Sequence, residues 1–120
     1  GGARSSKTIN GTSEIDHNTA DAYGAAINIE GAITTAADTS IHDNLNTSDK
    51  GGIIDIYSYG VPTSGTFNGD VTDNTSGPNG AALVSWQDCG ATPTLAGPIA
   101  KVVVDNSPRN VWLRTGTSDC

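Results

Sequence analysis

The sequence predicts an all-β chain, a solenoid of short parallel strands wound into about four coils of a β-helix and closed by an atypical C-terminal capping segment. Three observations predict this. The pattern Ile/Val-x-x-Asn recurs as Ile15-Asp-His-Asn18, Ile41-His-Asp-Asn44, Val71-Thr-Asp-Asn74 and Val103-Val-Asp-Asn106, with successive asparagines 26, 30 and 32 residues apart. Six or seven residues after each of the first three asparagines, small residues lead into aliphatics: Gly24-Ala-Ala-Ile27, Gly51-Gly-Ile-Ile54 and Gly80-Ala-Ala-Leu83. Within each unit the apolar residues alternate, so Ile27 and Ile29, like Ile54 and Ile56, share one face of a strand.

Composition agrees. The 120 residues include 15 Gly, no Met and six aromatics (2 Trp, 3 Tyr, 1 Phe), Thr, Ser, Asn and Asp greatly outnumber Lys, Glu and Arg, and good helix formers are scarce. No window carries a capped helical stripe, and no long helix is expected. Six Lys+Arg against 13 Asp+Glu give a net charge of -7, which argues against nucleic acid or an anionic membrane surface as partner. No run approaches 18 apolar residues, so no membrane insertion by a helix is expected.

Taken in order, residues 1–8 ("GGARSSKT") read as an N-terminal tail, of the kind a neighbouring subunit could hold by strand addition. Residues 9–89 contain the repeated coils. Asparagine suits the corner that ends the first strand of each tetrad, because it tolerates left-handed backbone and its amide both donates and accepts along a stack. Asn18, Asn44, Asn74 and Asn106 are therefore expected to form a structural corner column. The Gly-Gly or Gly-Ala pairs serve the next bend, where close approach excludes larger side chains. In the fourth unit, Ser107-Pro-Arg-Asn110 leads directly into Val111-Trp112-Leu113 and breaks the pattern, as a terminal cap does. Residues 90–120 are expected to be that cap, tied back by a disulfide between Cys89 and Cys120. In the loop-entropy model such a bridge stabilises the fold by roughly 3 to 4 kcal/mol. With no initiator Met and no charged-then-apolar leader, the chain reads as a processed product, and its terminal Cys120 as a natural end.

The paired tetrads, apolar-x-x-Asn followed by Gly-Gly/Ala-Ala-Ile/Leu, resemble the right-handed parallel β-helix repeats of polymorphic outer-membrane proteins and related autotransporter-type surface adhesins. The resemblance covers roughly residues 9 to 86, with Ile or Val where that family commonly has Phe. It implies a right-handed winding and an extracellular, cell-surface location, secreted with its signal removed.

Several residues are candidates for chemistry. His17, Asp43, Asp73 and Asp105 precede the four asparagines and read as corner turns, with Ca²⁺ bridging as the alternative use of such carboxylates. His17 and His42 lie at different offsets from their asparagines, and strict alternation sends them to opposite faces, so no shared metal site is expected. No nucleophile elbow or phosphate-binding glycine loop is present, and no cofactor is implied. With Ile54, Ile56 and Leu83 inward, Asp55, Tyr57, Tyr59, Val84 and Trp86 are expected outward, where Tyr57, Tyr59 and Trp86 would make an aromatic wall for a protein or glycan. The structural alternative folds residues 90–100 back over that wall. Of the sequons, Asn10 and Asn46 are the candidate glycosylation acceptors, because Asn74 belongs to the corner column.

The leading expectation is an extracellular structural protein, not an enzyme, that is a self-assembling filament or surface-layer subunit and whose main partner is itself. A short solenoid exposes unpaired backbone at both ends, and head-to-tail contact between such ends propagates. The alternatives are a surface adhesin module that binds a glycan or surface protein through the aromatic wall, and a fragment of a polysaccharide-active enzyme.

Overall fold

The strands fall where β-branched and small residues alternate. The computed structural model describes residues 5–9, 12–21, 24–29, 31–49, 51–59, 63–88 and 94–115, with the backbone alone for 5–7, 57–59, 85–88 and 114–115. The first stretch of chain supplies β1 (Ser5–Ile9), β2 (Glu14–Asp16), β3 (Thr19–Ala20) and β4 (Ile27–Ile29). The next supplies β5 (Gly31–Thr35), β6 (Ser40–His42), β7 (Leu45–Asn46) and β8 (Gly52–Tyr59). Then come β9 (Ser64–Phe67), β10 (Asp70–Thr72) and β11 (Ala81–Asp88), and finally β12 (Thr94–Ala96), the short helix α1 (Ile99–Val102), β13 (Val103–Val104) and β14 (Val111–Thr115).

These strands form three four-stranded sheets ordered β1-β5-β9-β12, β2-β6-β10-β13 and β4-β8-β11-β14, together with the pair β3-β7. Every pairing is parallel. Single parallel bridges from Leu45 to Thr75 and from Thr75 to Ser107 continue the line of β3 and β7. Parallel neighbours need a long crossover, commonly a helix. Here the chain visits the three four-stranded sheets in the same order each time and returns one position along.

The register carries the sequence repeat into space. Ile15, Ile41, Val71 and Val103 are successive partners, as are Ile27, Ile54, Leu83 and Val111. Branched aliphatics stacked at the strand spacing pack side by side. Ile33, Ile41, Ile54, Ile56, Phe67, Val71 and Leu83 are all at most 1% exposed and make one core. Phe67 is the one aromatic side chain in the core among the described residues, and Gly65 makes room for it: a Cβ there would stand 2.7 Å from Phe67 Cε2. At the glycine bend the same logic applies, since a Cβ on Gly52 would lie 2.7 Å from Val84 Cγ2.

Three segment expectations change. From Ser5 onward the presumed tail is a strand, paired in register from Ser5↔Gly31 to Ile9↔Thr35 within the same chain. Thr94–Ala96 does not fold back over the β8/β11 wall; it is the outer strand of another sheet, beside β9. The wall residues Asp55 and Val84 are not outward in solvent but fully buried, so both faces of this part of the sheet are covered, as is usual for parallel strands.

Candidate functional site

The asparagine corner is the most regular polar structure among the described residues. Asn18 donates from its backbone N and from Nδ2 to Asn44 Oδ1, at 3.0 and 2.9 Å. Asn44 does the same to Asn74 Oδ1, both bonds at 3.0 Å, and Asn74 to Asn106 Oδ1, again both at 3.0 Å. Each later amide also reaches back, Asn44 to Ile15 O, Asn74 to Ile41 O and Asn106 to Val71 O. The bonds all run the same way along the stack. Asn44 and Asn74 are 2% and 1% exposed, so these bonds remove a desolvation cost that an unpaired amide would impose.

The left-handed residue at this corner is not the asparagine. It is the residue before it: His17, Asp43, Asp73 and Asp105 have φ of 54, 54, 56 and 57°. Asp and His are among the non-glycine residues that best tolerate this region. The turn there also breaks strand alternation. The His17 and His42 rings, expected on opposite faces, consequently meet edge to face at 6.4 Å.

Around them lies a mixed patch that bridges β2 and β6. His42 Nδ1 is 2.7 Å from Asp43 Oδ2, and its Nε2 is 3.2 Å from Glu14 Oε1 and 3.7 Å from Asp16 Oδ2. His17 Nδ1 is 3.2 Å from Asp16 Oδ2. The Asp43 hydrogen bond raises the His42 pKa above the ordinary 6.5; partial burial opposes this, and Glu14 and Asp16 add to it. No group of three or more His, Cys, Asp or Glu among the described residues is arranged to hold a metal ion.

Two further corners escaped sequence reading. Thr35 Oγ1 accepts from the backbone N of Asn68 and Gly69 at 3.1 and 3.3 Å, while Asn68 Nδ2 donates to Thr35 O. Asn46 is 1% exposed and donates from Nδ2 to Gly52 O at 2.9 Å, which corrects its candidacy as a glycan acceptor. Ser76, likewise two residues past a ladder asparagine, does the same work, donating from Oγ to Ala81 O at 2.7 Å. In the second and third units a buried polar side chain at that position thus closes the loop. Asn10, Cys89 and Cys120 lie outside the described residues. The register pairs Tyr57 with Trp86, and Asp88 with Tyr59, on adjacent strands; the side chains of all three aromatics are outside what the structure describes.

The C-terminal end of the ladder has a fifth member. Asn106 donates from its backbone N and Nδ2 to Asn110 Oδ1, at 3.0 and 3.1 Å, so Asn110 stands where the next asparagine of the series would. The loop carrying it is held by Arg109, whose Nη1 donates to Gly80 O at 2.8 Å and whose guanidinium lies 4.5 Å from the centroid of the Trp112 ring. The signal for this was in the spacing: nine or ten residues separate Asn18 from Ile27, Asn44 from Ile54 and Asn74 from Leu83, but only five separate Asn106 from Val111.

No family model, curated protein or solved structure matches the chain.

Proposed function

We propose that the chain is a short right-handed parallel β-helix of about four coils that serves as an extracellular structural subunit and assembles by stacking its coils end to end on those of other copies. One observation carries this reading. The three four-stranded sheets all begin with strands of the first unit (β1, β2, β4) and all finish with strands of the last (β12, β13, β14). All six outer strands thus gather at two opposite ends, each a row of backbone groups ready to pair with another parallel strand. Right-handed winding follows from the near-universal handedness of parallel crossovers. Contact between unlike ends is heterologous and propagates, which makes a filament or a layer.

Location outside the cell rests on the resemblance of the paired tetrads to surface β-helix repeats and on the expected Cys89–Cys120 bridge. Sedimentation velocity with negative-stain microscopy tests the assembly. Polar rods or sheets that lengthen with concentration support it, and a monodisperse monomer at millimolar concentration overturns it.

The in-register pairing of Tyr57 with Trp86 favours a second reading, an adhesin surface for a glycan or a surface protein. Loss of glycan-array binding in Trp86→Ala, with assembly intact, would favour that reading.

A further inference from the structure

We infer that Asn110 is a displaceable plug on the C-terminal end, occupying the site that the first coil of a second copy takes when copies stack. This rests on the stacking reading above. Inside the molecule, each junction between units is marked by the same pair of bonds: the backbone N and Nδ2 of one asparagine donate to Oδ1 of the next. The donors run out at Asn106, and the acceptors run out at Asn18. Asn18 is exposed, and its Oδ1 accepts no hydrogen bond among the described residues. The two ends are therefore complementary, donors at one and a carbonyl acceptor at the other.

Asn110 stands between them. It satisfies Asn106 with bonds of 3.0 and 3.1 Å, against 3.0 and 3.0 Å at the Asn74–Asn106 junction. It can do so because the fourth unit lacks the long loop of the others, so that the residue preceding β14 turns back across the corner. Docking of a second copy exchanges Asn110 Oδ1 for the incoming Asn18 Oδ1. Two hydrogen bonds break and two equivalent ones form, so the exchange conserves hydrogen bonds, and Asn110 acts as an intramolecular competitor. A tethered competitor of equal strength raises the concentration needed for association without abolishing it. The junction asparagine also fixes register: an incoming coil shifted by one residue does not bring its Oδ1 to Asn106.

The test measures the half-assembly concentration by sedimentation velocity and light scattering, with far-UV circular dichroism to verify the fold. Asn110→Ala is expected to lower that concentration about tenfold, equivalent to ~1.4 kcal/mol. Asn18→Ala, which leaves the C-terminal end untouched, is expected to raise it by a similar factor, and the double variant to lose the gain of Asn110→Ala. Asn110→Asp keeps an oxygen acceptor over Asn106 and is expected to show no gain. A wild-type protein that assembles, with Asn110→Ala folded and unchanged, overturns the plug and leaves the stacking reading standing. If Asn110→Ala does not fold, an unchanged half-assembly concentration in Asn18→Ala overturns the plug by itself. Monomers throughout, in wild type and every variant, overturn both.

Discussion

The second and third units of the molecule differ from the first in what holds them. Ile41 of the second unit and Val71 of the third are 0% and 1% exposed, whereas Ile15, their partner in the first unit, is only half-buried. Ile54 and Leu83 are fully buried, yet their first-unit partner Ile27 keeps 9% exposure. The residue types are nearly the same along each column, so the difference comes from neighbours: Ile41 and Val71 are flanked by strands on both sides and Ile15 on one, while Val103, on the other outer strand, stays buried where α1 packs beside β10 and β13. In this architecture, burial belongs to the stack more than to the side chain. Polar contacts at His42 also tie the first unit to the second.

The comparison is broken most directly by truncating one column at two heights. Ile41→Ala removes a fully enclosed side chain and is expected to cost about 3 to 4 kcal/mol, whereas Ile15→Ala is expected to cost about 1 kcal/mol, because its site already opens to water. Urea unfolding with unchanged m-values measures both. Equal losses would mean that the outer unit is packed as tightly as the interior. A smaller contrast is expected in the ladder. Asn74→Ala leaves Asn44 N and Nδ2 without their acceptor inside the protein and should cost about 2 to 3 kcal/mol. Asn18→Ala removes only an exposed donor and should cost less than about 1 kcal/mol. A result in which the two asparagines weigh the same would show that the ladder is uniform and its open end is covered.

The ladder was legible in the sequence because a corner that repeats at every unit repeats its residue, and Ile/Val-x-x-Asn survives spacings of 26, 30 and 32 residues. What surrounds it was less legible. The corner turns at His17, Asp43, Asp73 and Asp105 were legible too, but that these residues rather than the asparagines carry the left-handed backbone was not, and it leaves the amides to bond along the stack. Alternation, reliable inside strands, failed across that turn and separated two histidines that the fold brings together. It failed again at Asp55 and Val84, because a period of two assigns residues to two faces and says nothing about which of them meets solvent. Asn46 was legible as a sequon, but its bond to Gly52 O depends on how the loop closes, and Ser76 fills the same position with a different residue. Asn110 is different again. Its site was written in the shortened spacing to Val111, which reads as a defect until the missing acceptor of Asn106 is counted.

The smallest effect concerns the tie that joins the first unit to the second. His42 and Asp43 belong to the second unit, Glu14 and Asp16 to the first, and the His17 ring stands beside them. The folded-state pKa of His42 is raised above 6.5, so the folded protein binds this proton more tightly than the unfolded chain. Its contribution is therefore fully present below about pH 6.5 and is lost as pH rises through the folded-state pKa. Because the patch is largely exposed, the contribution is small and screened by salt. The urea midpoint of the wild type should exceed that of His42→Gln at pH 5.5 in low salt, and the gap should close by pH 8 or in molar salt. The asparagine ladder carries no titrating group, so Asn74→Ala should show the same loss at both pH values. A gap for His42→Gln that widens as pH rises would reverse the sign of the tie and remove the electrostatic account of how the outer unit is held.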